Sequence, residues 1–484
     1  MKDTLKVLFV ASESMPFVKT GGLADVAHTL PKTLAALGHD VRVMIPRHAR
    51  IKAEHGDELE TVASTWIPLG WRQKYLGIEK LRSGGVTYYF IDNEDYFGDK
   101  IYRGGNEENE QYLYFCKAVC ESLSLIDFEP DVLHLNDWHT GMIPYLMKTR
   151  YNALLGREIP ILFTIHNIEY QGKMGFTFMQ DLLDIPDFYN TPEYLEADGC
   201  VNMMKSALVF ADRISTVSPS YANELMDAWA GRGLEGIISA RRADVTGILN
   251  GIDTEDFDPQ NDPLITAPFS ADDLTGKRSN KKALRDEFSL STTLTTPIVA
   301  MVSRLTEQKG ISLVQYVLEE LLCCEDVAFI MLGAGDPQFE GFFDYIAAKY
   351  PDTSGVYIGY NEQLAHRIYA GADFLLMPSE FEPCGLSQMI AQRYGTLPIV
   401  RETGGLIDTV ESYNEFTGQG TGFSFLTYNA QDMLEAIRRA LRVYRDKPVL
   451  RRLKKSAMAV DHSFLKAARQ YEELYETMTK GLYG

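Results

Sequence analysis

Wholly apolar runs and amphipathic stretches take turns along this chain. Residues 5–11 are almost all large or β-branched apolar residues, the pattern of a strand buried on both faces. From Gly22 the period lengthens. Leu23, Val26, Ala27, Leu30, Leu34 and Leu37 share one helical face, and Gly38 ends the helix. Asp40–Pro46 returns to strand. Strand, helix and strand make a βαβ unit, whose connection is right-handed in nearly all folds. Further strands are predicted at Val86–Asp92, 131–135 and 159–164, with helices between them.

The second half repeats the alternation. Strands are predicted at 298–303, 327–332, Phe374–Met377 and 397–400, and one more ends at Ile358. Helices are predicted at 310–322, 363–370 and 386–394. A polar, turn-rich segment runs from Asn250-Gly251-Ile252-Asp253 to Gly276, and the domain boundary is placed just before it. The expected domains are therefore 1–245 and 246–462, with a helical segment at 463–484 packing back on the first. This is an α/β chain of two doubly wound units.

Composition narrows the partners. The chain has 484 residues, too many for one ordinary core. Its 47 basic residues face 67 acidic ones, a net charge of -20 that repels nucleic acid and anionic membranes. The six cysteines, Cys116, Cys120, Cys200, Cys323, Cys324 and Cys384, form no CxxC pair and no Cys/His metal spacing. Reduced thiols of a cytoplasmic protein are expected. The first apolar run is too short for a signal sequence, and no run approaches membrane-spanning length.

The candidate chemistry sits where strands give way to helices, the edge at which open parallel sheets bind ligands. Lys19-Thr20-Gly21-Gly22 offers glycine backbone, a helix start and a cation to an anion, without Walker A spacing. Arg304 and Lys309 flank a second helix start and can converge on one anion. Glu380, Glu382 and Cys384 follow the strand Phe374–Met377, and the amides of Gly385 and Leu386 lie at the next helix start. Cys384 lacks a local histidine partner and is expected to pack rather than attack. Thr403-Gly404-Gly405-Leu406 echoes the first loop. Asp137 and His166 each follow a strand of the first half. Asp256-Phe257-Asp258 lies in a linker and is expected to be a turn, not a metal site.

These segments together resemble bacterial glycogen synthases and plant starch synthases, the ADP-glucose-dependent α-1,4-glucan synthases. The resemblance is carried by Lys19-Thr20-Gly21-Gly22-Leu23-Ala24-Asp25-Val26, His134-Leu135-Asn136-Asp137-Trp138-His139 and His166-Asn167-Ile168-Glu169-Tyr170-Gln171-Gly172. It continues through Leu249-Asn250-Gly251, Ser303-Arg304-Leu305, Gln308-Lys309-Gly310, Glu382-Pro383-Cys384-Gly385-Leu386 and Arg401-Glu402-Thr403-Gly404-Gly405.

The resemblance implies a GT-B fold, with two Rossmann-like domains facing a central cleft and the donor bound mainly by the second. It implies retaining transfer of glucose from ADP-glucose to the non-reducing 4-OH of glycogen or starch, with no cofactor and no metal. Arg304 and Lys309 would neutralise the leaving diphosphate, assisted by Lys19 and the amides after Thr403. Glu382 would bind the donor glucose, His166 would contact it near its 6-OH, and Asp137 would lie toward the acceptor. Tyr360 would stack on adenine, with Tyr96 on the other side of the nucleotide. Gly21, Gly22, Asp25, Asn167, Gln171, Asn250, Cys384, Gly385, Leu386, Gly404 and Gly405 complete the implied substrate-binding set. A UDP-glucose-using relative and a non-catalytic glucan-binding relative stay open as alternatives.

Overall fold

The computed structural model describes residues 4–480. The chain divides into two compact units. One runs to Asn250 and takes in the segment from Phe464 onward; the other is Gly251–Ser463.

In the first unit the strands are β1 (Lys6–Val10), β2 (Asp40–Pro46), β3 (Glu60–Leu69), β4 (Arg72–Ser83), β5 (Val86–Asp92), β6 (Val132–Asn136) and β7 (Ile161–Ile165). A small antiparallel sheet follows, made of β8 (Lys173–Met174), β9 (Glu196–Ala197) and β10 (Cys200–Asn202). Then β11 (Arg213–Thr216) and β12 (Val245–Gly247) rejoin the main sheet. Its nine strands run in the order β12-β11-β7-β6-β1-β2-β5-β4-β3. The first seven in that order are parallel, and β4 and β3 are antiparallel additions at one edge. The chain builds outward from β1 in one direction, then returns to place β6 on its other side. The loops after β1 and β6 therefore meet at a topological switch point.

The boundary falls at Asn250, not at 245. Beyond β12, the Ile248 N–H donates to the Thr216 carbonyl and the Asn250 N–H to that of Val217, so the sheet keeps hold of the chain. The helix Leu465–Lys480 belongs to the first unit, with Tyr471 and Tyr475 in the same core as Val7, Phe9 and Val43. The Tyr475 hydroxyl lies 2.6 Å from His134 Nδ1, and Glu472 Oε1 lies 3.1 Å from His39 Nε2.

The second unit contains β13 (Ile298–Val302), β14 (Ala328–Gly333), β15 (Ser354–Ile358), β16 (Phe374–Met377), β17 (Leu397–Arg401) and β18 (Phe423–Phe425). All pair in parallel, in the order β15-β14-β13-β16-β17-β18. This is the strand order of dinucleotide-binding sheets, with its switch point between β13 and β16. Helices Ile311–Cys324 and Ala430–Arg445 cover one face through Val314, Leu318, Leu321, Met433, Ile437 and Leu441. Among the described residues no helix is long and apolar enough to cross a membrane.

Candidate functional site

The switch point of the second unit brings together the loops after β13 and β16. Gly310 makes the approach possible. Its φ is +70°, and a Cβ there would lie 2.1 Å from the Pro378 carbonyl oxygen. A side chain would force the two loops apart. With glycine in place, Lys309 Nζ sits 2.5 Å from Glu382 Oε2. The Ser379 hydroxyl donates to the same oxygen at 2.9 Å. Glu382 is buried at 5% exposure, whereas Arg304 on the neighbouring loop is exposed. The hydroxyls of Ser303 and Thr306, on either side of Arg304, are buried with no partner among the described residues.

The loop after β17 completes this edge. Thr403, Gly404 and Gly405 are buried, and Gly405 packs so tightly that a Cβ would lie 2.3 Å from the Cys384 carbonyl oxygen. The Gly405 N–H donates to the Glu382 carbonyl at 3.0 Å, so it fastens the two loops together and is not open to an anion. The helices that follow are short, Ser387–Arg393 and Gly405–Thr409, so their ends offer single N–H groups rather than a long dipole. Cys384 is buried, as expected of a packing residue, and its carbonyl accepts from Gln388 Nε2. Tyr360, just beyond β15, is 75% exposed.

In the first unit the loop after β1 carries Glu13, which the sequence reading missed. Its only trace was that the first apolar run stops there. Glu13 is buried and accepts from the Thr20 N–H and hydroxyl, both at 2.6 Å. Burial pushes its carboxyl up to about 7, against the opposing pull of those hydrogen bonds. The Thr20 amide is thus turned onto the chain's own carboxylate. Lys19 Nζ lies 2.8 Å from Asp25 Oδ1, with both side chains partly exposed.

The loop after β6 holds Asp137 at a φ of +56°, a left-handed conformation rarely adopted by a non-glycine residue. Its Oδ1 accepts from the His166 N–H at 2.7 Å and the Asn167 N–H at 3.3 Å, which ties the ends of β6 and β7 together. Burial pushes the carboxyl up to about 7, and nearby Glu13 adds repulsion. Asn136 fixes the tautomer of His166. The Asn136 amide nitrogen donates to the Val10 carbonyl, leaving its Oδ1 to accept at 2.8 Å from His166 Nε2. His166 Nε2 therefore carries the proton and Nδ1 is the acceptor. Burial lowers this imidazole to about 3, so it is neutral at neutral pH.

Two residues of the expected substrate-binding set are engaged by protein. Tyr96 is buried, its ring stacks on Tyr114 at 4.5 Å, Lys74 covers it at 5.0 Å and its hydroxyl donates to Glu110. Both its ring and its hydroxyl are thus engaged by protein. Gln171 has its whole amide engaged by protein: Nε2 donates to the carbonyls of Ile168 and Arg232, and Oε1 accepts from Asn202. It shapes the loop. Asn167 Oδ1 accepts locally from the Glu169 N–H, while Asn250 Oδ1 is buried without a partner among the described residues. In the linker, Phe257 stacks on His366 at 4.8 Å and Asp258 accepts from Asn261 and Arg393. Among the described residues no group of three or more His, Cys, Asp or Glu could hold a metal ion.

Residues 6–240 match the family model described as starch synthase catalytic domain, and residues 284–459 match glycosyl transferases group 1. Glycogen synthase from Geobacillus thermodenitrificans is 51% identical over 477 residues, covering 98% of both chains. That from Geobacillus stearothermophilus is 50% identical with the same coverage. Among solved structures, the catalytic domain of starch synthase IV from Arabidopsis thaliana, bound to ADP and acarbose, superposes with a TM-score of 0.93 at 33% identity. That match covers 99% of this chain and 100% of the other.

Proposed function

Since the chain belongs to the glycogen and starch synthase family, two-domain glycosyltransferases of glucan synthesis, we propose that it transfers glucose from ADP-glucose to the non-reducing 4-OH of an α-1,4-glucan with retention. The observation that carries this reading is the Lys309–Glu382 pair at the switch point of a dinucleotide-type sheet. One partner suits a departing diphosphate and the other suits a sugar that becomes cationic as it departs.

In this reading Arg304 and Lys309 stabilise the charge that grows on ADP as the glycosidic bond breaks. The buried hydroxyls of Ser303 and Thr306 are positioned beside Arg304 to add hydrogen bonds. Lys19, Thr403 and Gly404 assist, and Tyr360 stacks on adenine. Glu382 faces the oxocarbenium-like sugar. His166 is neutral and holds its proton on Nε2 against Asn136. Its Nδ1 thus accepts from a sugar hydroxyl rather than repelling the cationic sugar. Asp137 lies toward the acceptor. Retention through a covalent intermediate needs a second carboxylate about 5–5.5 Å from the first. Among the described residues, the side-chain oxygen in hydrogen-bond contact with Glu382 is the Ser379 hydroxyl and not a second carboxylate. Same-face attack, with the leaving phosphate taking the acceptor proton, is therefore preferred. The bound ADP of the Arabidopsis enzyme supports the nucleotide choice.

The test is a donor panel of ADP-, UDP- and GDP-glucose with glycogen, with and without EDTA, on the wild-type chain and K309A. Glucose incorporation from ADP-glucose should persist in EDTA. K309A should lower kcat by about 10²–10³-fold, the usual effect of losing one preorganised charge contact. Preference for UDP-glucose, abolition by EDTA with recovery on adding a divalent ion, or wild-type turnover in K309A would each refute a part of this reading.

A further inference from the structure

We propose that Arg401 is a positioning residue for the transfer: its guanidinium fixes the backbone of Ser379 and Glu380, so that the Glu382 carboxylate stays against Lys309. This rests on reading Glu382 and Lys309 as the donor-site pair.

Arg401 is the last residue of β17, beside the end of β16 from which the Glu382 loop departs. Its Nη1 donates to the Ser379 carbonyl at 3.4 Å and to the Glu380 carbonyl. Its guanidinium lies 5.5 Å from the centroid of the Tyr428 ring, which backs it. The loop after β13 holds the same segment from its other side. The Glu380 N–H donates to the Gln308 carbonyl at 2.9 Å, and Gln308 Nε2 donates to the Phe381 carbonyl at 3.3 Å. Three successive carbonyls, those of Ser379, Glu380 and Phe381, are thus held by side-chain donors. The next residue is Glu382.

A loop without helix or sheet bonding keeps one conformation only if its backbone groups have such partners. The Arg401 bonds are the charge-assisted ones, and the one to the Glu380 carbonyl is the closer of the two. Gln308 is on the loop of Lys309, and Arg401 is on the strand that leads to Thr403. Together they register the three loops of this edge on one another. Both of these Nη1 bonds go to backbone carbonyls of the Glu382 loop. In this proposal Arg401 acts through Glu382 rather than as another counter-ion for the diphosphate. Because Arg401 is only half-buried, free guanidinium can reach the space its side chain would leave.

The full-length R401A variant tests this through four readouts: kcat, ADP affinity by calorimetry, backbone hydrogen exchange over residues 379–382, and recovery on adding guanidinium chloride. Misplacing a catalytic group by about 1 Å costs on the order of 10²-fold in rate, and that fall in kcat is expected. ADP affinity should stay close to wild type, exchange at Glu380 and Glu382 should quicken, and millimolar guanidinium should restore part of kcat. An unchanged kcat with unchanged exchange would overturn the proposal. So would ADP affinity falling in step with kcat, which would make Arg401 a direct ligand of the diphosphate. If R401A fails to fold, R401Q keeps the stem, loses the charge and is judged by the same criteria. Hydrogen exchange needs no catalysis. Quickened exchange in a chain whose wild type transfers no glucose would sink the functional reading while upholding the clamp.

Discussion

Burial and charge are in conflict at Asp137, and the conflict sets a pH dependence. Its carboxyl rises from 3.8 to about 7 in the folded chain, first because burial disfavours the ionised form. A raised folded-state value means the native protein holds a proton that the unfolded chain releases across that interval. The group's contribution to stability is whole below about pH 4 and is lost as pH rises through 7. D137N removes the titrating group and keeps an acceptor for the His166 and Asn167 amides. It is expected to be more stable than wild type by up to about 4 kcal/mol at pH 8, with much of the gain gone at pH 5, while glucan transfer falls. Urea midpoints at the two pH values check this, and a difference independent of pH would contradict it. Residue-level chemistry was only partly legible in the sequence. Lys309 and Glu382 stood out because charged residues just past apolar strands mark a sheet's ligand edge, and they lie 2.5 Å apart. Glu13 did not stand out, because its partners Thr20 and Gly21 become neighbours only when the loop folds back. The packing of Tyr96 was hidden for a related reason. An aromatic after a strand looks the same in sequence whether its face is open or, as here, stacked on Tyr114.

At the scale of elements, periodicity served the buried parallel strands well and the exposed hairpin poorly. Strands β1, β2, β5, β13, β16 and β17 begin and end within a residue or so of the predicted runs, because both faces of each strand are covered and the apolar run is nearly unbroken. The hairpin of β3 and β4 escaped. One of its faces meets solvent, with Trp66 at 63% exposure beside Tyr75, and its alternation carries no long apolar run. The hairpin is nonetheless anchored, since a Cβ at Gly70 would lie 1.8 Å from the Asp181 carbonyl oxygen. Gly310 is the analogous contact at the ligand edge, and it joins element packing to function. G310A adds left-handed strain of about 1 kcal/mol to a backbone clash with Pro378. The expected result is a loss of at least about 2 kcal/mol in unfolding free energy, together with a fall in kcat as Lys309 moves off Glu382. Equilibrium urea unfolding and steady-state rates read both effects. A stable G310A enzyme with unaltered kcat would show that the loops tolerate separation.

Over the whole molecule the chain leaves its first unit at Asn250 and comes back to it at Phe464. The first unit is therefore discontinuous in sequence, and its core is finished by the last helix. Tyr471 and Tyr475 of that helix are at most 1% exposed, and Ala467, Ala468 and Met478 are buried with them. Each large apolar side chain left uncovered costs roughly 1.5–3 kcal/mol. Loss of the two tyrosines and Met478 thus removes on the order of 5–9 kcal/mol, comparable with the 5–15 kcal/mol that holds a typical domain folded. The same cut leaves the buried His134 without its Nδ1 partner, the Tyr475 hydroxyl at 2.6 Å, although Nε2 keeps Thr164. The second unit has no such dependence. Its sheet, its covering helices and the buried Asp373, paired with Lys281 at 2.6 Å and Lys454 at 3.1 Å, all lie within Gly251–Ser463. Expressed separately, 251–463 should fold cooperatively and bind ADP. Residues 1–250 alone should be unfolded or aggregated, and should recover a cooperative melt when 464–484 is fused through a flexible linker to the residue after Asn250. Circular dichroism melts of the three proteins decide the matter. A stable 1–250 fragment would mean that the final helix decorates the first unit rather than completing its core.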